Sequence, residues 1–90
     1  MRPAVLVEVA EASLHFDRSH KGSLYARAGI ADYWIVNLAD RALEIYREPM
    51  LDRSAEFGWR YLDVQVLRAG ATVSPLSRPG VTIAVAGLLP

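Results

Sequence analysis

The sequence predicts an α/β (α+β) domain in which a mixed β-sheet carries one main helix, in the order β-α-β-β-β-β. Three observations lead there. Only the stretch from Arg18 to Ala28 places residues at helical spacing, between a helix-starting Asp17 and a helix-ending Gly29. Val5 to Val9 and Tyr33 to Leu38 flank it as short strands rich in β-branched and aromatic residues, with apolar residues on both faces. Alternating segments then follow, separated by clusters of turn residues. Ninety residues make a single small domain, 1–90, with little core to spare.

The first strand puts Val5, Val7 and Val9 on one side and Leu6, Glu8 and Ala10 on the other. Glu8 is the exception among apolar neighbours. A carboxylate buried there needs a cation or hydrogen-bond donors. A structural ion pair and a functional acid both satisfy that need. Glu11 has the opposite parity and reads as solvated, and Ala12 to Phe16 reads as a connection anchored by Leu14 and Phe16.

Asp17 suits the N-cap of the helix, and Gly29 the left-handed position past its end, with Ile30 folding back. Lys21, Leu24, Tyr25 and Ala28 share one face, which the spacing predicts to be inward. Lys21 then starts the inward face, although it could equally snorkel and pair with Asp17 one turn away. Gly22 loosens the first turn.

Tyr33 to Leu38 reads as a central strand, Asn37 to Asp40 as a turn, and Ala42 to Arg47 as a hairpin partner with Leu43 and Ile45 on one face. Residues 49–58 read as an exposed loop. Trp59 to Leu67 reads as a strand with Leu62, Val64 and Val66 inward and Asp63 and Gln65 outward. Residues 70–80 read as a connection, and Val81 to Val85 as a short edge strand. A right-handed crossover sets the first strand parallel to Tyr33–Leu38. With a single helix, one sheet face is expected to lie bare and to need a covering partner.

Composition excludes several classes. No cysteine is present, so there is no disulfide, thiolate zinc site or thiol nucleophile. Ten basic residues balance ten acidic ones, without the excess of positive charge that phosphate binding usually brings. No run reaches the roughly 18 apolar residues of a membrane span, and Glu8 interrupts the first apolar stretch too early for a signal peptide. A cytoplasmic protein without membrane contact is expected. Zero net charge and 52% apolar residues favour self-association, as a homodimer or larger assembly. There is no GxGxxG, phosphate loop or GxSxG elbow. His15 and His20 lack convincing metal-ligand spacing, and Trp34, Trp59 and the tyrosines fall inside strand patterns.

The segments VLVEV, DRSHKGSLYARAGIADYWIVN and SPLSRPGVTI, in this order and spacing, resemble the Uma-two family of restriction endonucleases, a branch of the PD-(D/E)XK nuclease superfamily. That family carries a pattern like PDLVVEV, then D-x-x-x-K-x-x-x-Y-x-x-x-G-V, then Y-W-I-V-D. Glu8 matches the strand acid, Asp17 and Lys21 the D-x-x-x-K pair, Tyr25 and Gly29 the helix end, and Asn37 stands where the family usually has Asp. The resemblance implies an Mg²⁺-dependent endonuclease acting on phosphodiester bonds of nucleic acid, with DNA as partner. It implies Glu8 as metal ligand and Glu8, Lys21 and Asp17 as catalytic residues. Ala10 replaces the usual lysine of the E-x-K triplet, so Lys21 supplies the amine from the helix. The family's other metal-binding Asp lies on an upstream strand. The expected fold is therefore a truncated restriction-endonuclease-like core, resembling the C-terminal half of a nuclease domain, with an incomplete metal site and little activity alone. The alternative expectation is an inactive remnant serving as a homo-oligomeric or protein-interaction module.

Overall fold

All six residues of β2 (Asp32–Asn37) are buried, and the other elements pack around this strand. The computed structural model describes residues 4–90; residues 1–3, the start of the stretch tested as a signal peptide, lie outside the described residues. β1 (Leu6–Ala10) runs parallel to β2, with Leu6 opposite Tyr33 and Ala10 opposite Asn37. This is the pairing expected of a strand–helix–strand crossover. β3 (Ala42–Leu51) returns antiparallel to β2, and β4 (Trp59–Arg68) pairs antiparallel with β3, completing a mixed sheet in the order β1-β2-β3-β4. The Asn37 side chain accepts from the Asp40 backbone N–H at 3.0 Å, the turn chemistry expected there.

The helix, α1, starts earlier than expected. It opens at Leu14–Phe16, widens into a π turn over Asp17–Lys21 and closes at Gly22–Arg27. Ser13 holds the N-cap position, so Asp17 is not a cap but lies within the helix, buried. Leu14 packs against the core, which draws this segment into the helix. At the other end Gly29 has φ 77°, and the N–H groups of Gly29 and Ile30 donate to the carbonyls of Ala26 and Tyr25. That is a Schellman ending, and it fixes where the chain enters β2.

The buried face of α1 is Gly22, Ser23 and Ala26, with Asp17, rather than the predicted stripe of Lys21, Leu24, Tyr25 and Ala28. Ala28 is exposed and the other three are half-buried. The π turn breaks the 3.6-residue period on which that stripe was read. Small side chains at Gly22, Ser23 and Ala26 then let the helix settle close to the sheet.

β3 continues to Leu51 through Pro49, past the predicted boundary. β2 ends its pairing at Arg47, so Pro49 pairs only with β4, where its missing N–H costs no ladder bond on the other side. Glu48, at φ 60°, bends the strand there. On β4 the expected facing is overturned. Leu62, Val64 and Val66 are 56, 49 and 55% exposed, while Tyr61 is buried. α1 meets β4 at its beginning, where Ser23 Oγ donates to the Trp59 carbonyl at 2.6 Å and the Tyr61 hydroxyl to the Ile30 carbonyl at 2.6 Å. Residues farther along β4 extend past the helix.

The expected last strand is two residues long. β5 (Thr72–Val73) and β6 (Ile83–Ala84) form a separate two-stranded sheet, followed by a 3₁₀ turn at Val85–Leu88. This C-terminal segment covers the central part of the sheet face that was expected to lie bare. Val73, Val85 and Leu89 pack with Trp34, Val36, Leu43 and Ile45. The opposite face packs Ala26 of α1 against Tyr33, Ile35, Tyr46 and Tyr61. Asp32 pins the C-terminal segment in place: its buried carboxylate accepts from Trp34 Nε1 at 2.6 Å, Arg47 Nε at 2.9 Å and the Leu76 backbone N–H at 2.9 Å. On the face that this segment covers, Val7 and Val9 of β1 stay exposed, beyond its reach. Among the described residues no helix is long and apolar enough to cross a membrane.

Candidate active site

The helix-facing side of the sheet carries one row of residues across three strands: Glu8 on β1, Ile35 on β2 and Glu44 on β3. The π turn of α1 lies over this row and supplies one cation to each acid. Lys21 meets Glu8, and Arg18 meets Glu44.

At the first corner, Lys21 Nζ stands 3.4 Å from Glu8 Oε2 and 3.2 Å from Asp17 Oδ1. Tyr25 OH donates to Glu8 Oε1 at 2.9 Å, and Ser13 Oγ to Asp17 Oδ2 at 3.1 Å. All three predicted site residues, Glu8, Asp17 and Lys21, therefore converge. Glu8 is less enclosed than its apolar neighbours suggested, with its side chain 26% exposed against 2% for Asp17. β1 is the outer strand of the sheet, which opens the Glu8 carboxylate to one side.

The π turn is held from within the core. The Asp17 carbonyl accepts the Gly22 N–H, five residues on, and the Tyr33 hydroxyl at 3.2 Å. A π turn is a single wider turn set inside an α-helix. Here it brings Asp17, Arg18 and Lys21 onto the sheet together.

The electrostatics follow the contacts. Lys21 is held above the ordinary lysine range, first by its contact with Asp17, against the opposing cost of burial, and then by Glu8. The Tyr25 phenol is raised by burial and then by its bond to Glu8, so it stays a donor. With both acids ionised the corner sums to one negative charge, an environment that attracts a cation. Asp17 Oδ1 is buried, and the Lys21 ammonium is the cation beside it.

The second corner was not foreseen. Glu44 is fully buried and accepts from Arg18 Nε at 2.9 Å, Tyr46 OH at 2.6 Å and Asn37 Nδ2 at 3.0 Å, with a further close contact from Arg18 Nη2. Burial works against its ionisation, but the bonds from Arg18, Tyr46 and Asn37 outweigh it and hold the carboxyl below the usual range. Alternation with Leu43 and Ile45 places Glu44 on their opposite face. Only the position of the helix shows that this face is covered. Asn37 serves this network and the turn at Asp40.

The histidines lie apart from both corners. His20 stacks on Phe16 with ring centroids 4.6 Å apart and lies 2.9 Å from Glu56, while His15 is exposed beside Ser19. Among the described residues no group of three or more His, Asp or Glu could hold a metal ion.

Residues 2–86 match the model of the Uma2 family, described as "Putative restriction endonuclease". No curated protein matches the chain.

Proposed function

The chain belongs to the Uma2 family, and from that premise we propose that it acts as a divalent-metal-dependent endonuclease of the PD-(D/E)XK type, with its site at Glu8, Asp17 and Lys21. The observation that carries the reading is the shared position of Lys21 Nζ, within 3.4 Å of Glu8 and 3.2 Å of Asp17. One small region thus collects two carboxylates and an ammonium, the groups that phosphodiester hydrolysis uses.

The donor set fits Mg²⁺. The ion is usually held by one or two carboxylates, with waters and substrate phosphate oxygens filling the other positions. Glu8 and Asp17 are the residues that would hold it, both of them facing the Lys21 ammonium, which is 3.2 Å from the buried Asp17 Oδ1. When bound, the ion lowers the pKa of water and stabilises charge on the phosphoryl group.

The protein's own groups do the rest. Tyr25 fixes the orientation of Glu8 through its hydroxyl. Ser13 does the same for Asp17. The Lys21 ammonium offers its N–H groups to a phosphate oxygen or to the attacking water. Tyr33 and the π-turn bond hold Asp17 and Lys21 at a fixed distance from the sheet.

The test is cleavage of plasmid and of single-stranded DNA by the purified chain with Mg²⁺, beside E8Q and K21A. We expect cuts by the native chain and at least a 100-fold loss in each variant, with circular dichroism unchanged. Equal cleavage by E8Q, or none by the native chain at any metal concentration, rejects the reading.

A further inference from the structure

We propose that the cleft between α1 and the β3–β4 hairpin binds a single unstacked nucleobase. The inference rests on the nucleic-acid reading above and gives that site a specificity contact outside the Glu8–Lys21 corner. The cleft encloses about 310 Å³ and is lined by Tyr46, Trp59, Tyr61 and Val64 together with Arg18 and Ser19. Its volume lies at the lower end of the range for small-molecule sites.

The cations that line it are already matched. Arg18 is paired with Glu44 and Arg60 with Asp52 at 3.0 Å, while Glu56 lies 2.9 Å from the His20 ring. A phosphate finds no spare cation there. A neutral, flat ring with polar edges fits better. Trp59, half-buried at the cleft wall, supplies aromatic surface over the buried Tyr46 and Tyr61, and stacking on such a ring accepts any base. Glu44 takes Nε and Nη2 of Arg18, so Nη1 is the guanidinium nitrogen that a base oxygen or ring nitrogen would engage.

Position supports the same occupant. Glu8 and Glu44 share a row two strands apart, a separation of about 10 Å at the usual strand spacing. Arg18, at the cleft wall, and Lys21, at the first corner, come from the same π turn. A strand whose phosphate meets Lys21 therefore has a neighbouring base within reach of the cleft. The chain has zero net charge, so contacts to phosphates alone give it little affinity, and a held base adds what the electrostatics lack.

The test uses the full chain, labelled with ¹⁵N, titrated with deoxyadenosine and with deoxycytidine while the Trp59 indole N–H resonance is followed. We expect at least one nucleoside to move that resonance saturably, with no metal required. Val64 is half exposed, so V64F fills the cleft without disturbing the core and should weaken binding at least tenfold at an unchanged melting temperature. No movement with either nucleoside, or native-like binding by V64F, overturns the proposal. A TAT trinucleotide binding more tightly than deoxyadenosine assigns the base to a nucleic-acid strand, and equal binding assigns it to a free nucleoside; both uphold the cleft. E8Q should bind nucleosides as the native chain does. A chain that binds nucleosides but cuts nothing keeps the cleft and rejects the nuclease reading, and one that cuts but ignores nucleosides does the reverse.

Discussion

Glu44 is the residue on which the helix-facing side of the sheet turns. A buried carboxylate with four donor contacts is a strong tie between β3 and α1, and its removal leaves Arg18 without its partner. We expect E44Q to cost about 1–3 kcal/mol at neutral pH, read from urea unfolding. The pH dependence has a definite sign. Because the folded carboxyl lies below its ordinary value of 4.5, its stabilisation is present above that value and is lost as pH falls through the lower, folded one. Native protein should therefore lose stability below about pH 4.5, and E44Q should show a flatter acid limb. An E44Q curve parallel to the native one would remove this role. At this scale the sequence exposed Glu8 clearly, because an acid between Leu6 and Ala10 demands a partner. It exposed Glu44 poorly. An acid alternating with Leu43 and Ile45 looks the same whether its face meets water or a helix.

Among the elements, α1 shows how a local irregularity sets a site. Its end was legible, since Gly29 at φ 77° is a position that suits glycine and little else. Its start was not. Ser13 and Asp17 are both good capping residues, and tertiary burial of Leu14 and Asp17 decides between them. The π turn then displaced the predicted inward stripe, because no residue pattern announces a five-residue hydrogen bond. Gly22 gives a direct check. A Cβ there would meet the Asp17 carbonyl oxygen at 3.6 Å, an ordinary contact, and alanine is the better helix former by about 1 kcal/mol. G22A is expected to raise stability by up to about 1 kcal/mol in urea unfolding while leaving Glu8–Lys21 in place. A clear loss of stability would mean that the turn needs glycine for another reason.

For the whole molecule, the order of elements and the pairing of β1 with β2 followed from strand composition and the crossover rule. The covering of the second face did not. Residues 70–80 carry the turn residues of a loop, yet the chain around them folds back over Trp34 and Leu43 and seats Val85 and Leu89 in that core. Such long-range packing leaves no periodic trace in two-residue strands. Val85 is fully buried, and V85A should cost about 2 kcal/mol in denaturant unfolding; a change within error would place the 3₁₀ turn outside the cooperative core. β1 has the opposite standing. Among the described residues it is tied to a single neighbouring strand, through a parallel ladder of five residues, and it carries Glu8 at its midpoint. Such a margin opens at lower free energy than the centre of a sheet. The acid at the proposed metal position thus sits on the outer strand of the sheet, while Asp17 and Lys21 come from the helix over its centre. Any loosening of that one ladder would carry Glu8 away from Asp17 and Lys21, so the geometry of the corner depends on the pairing of β1 with β2.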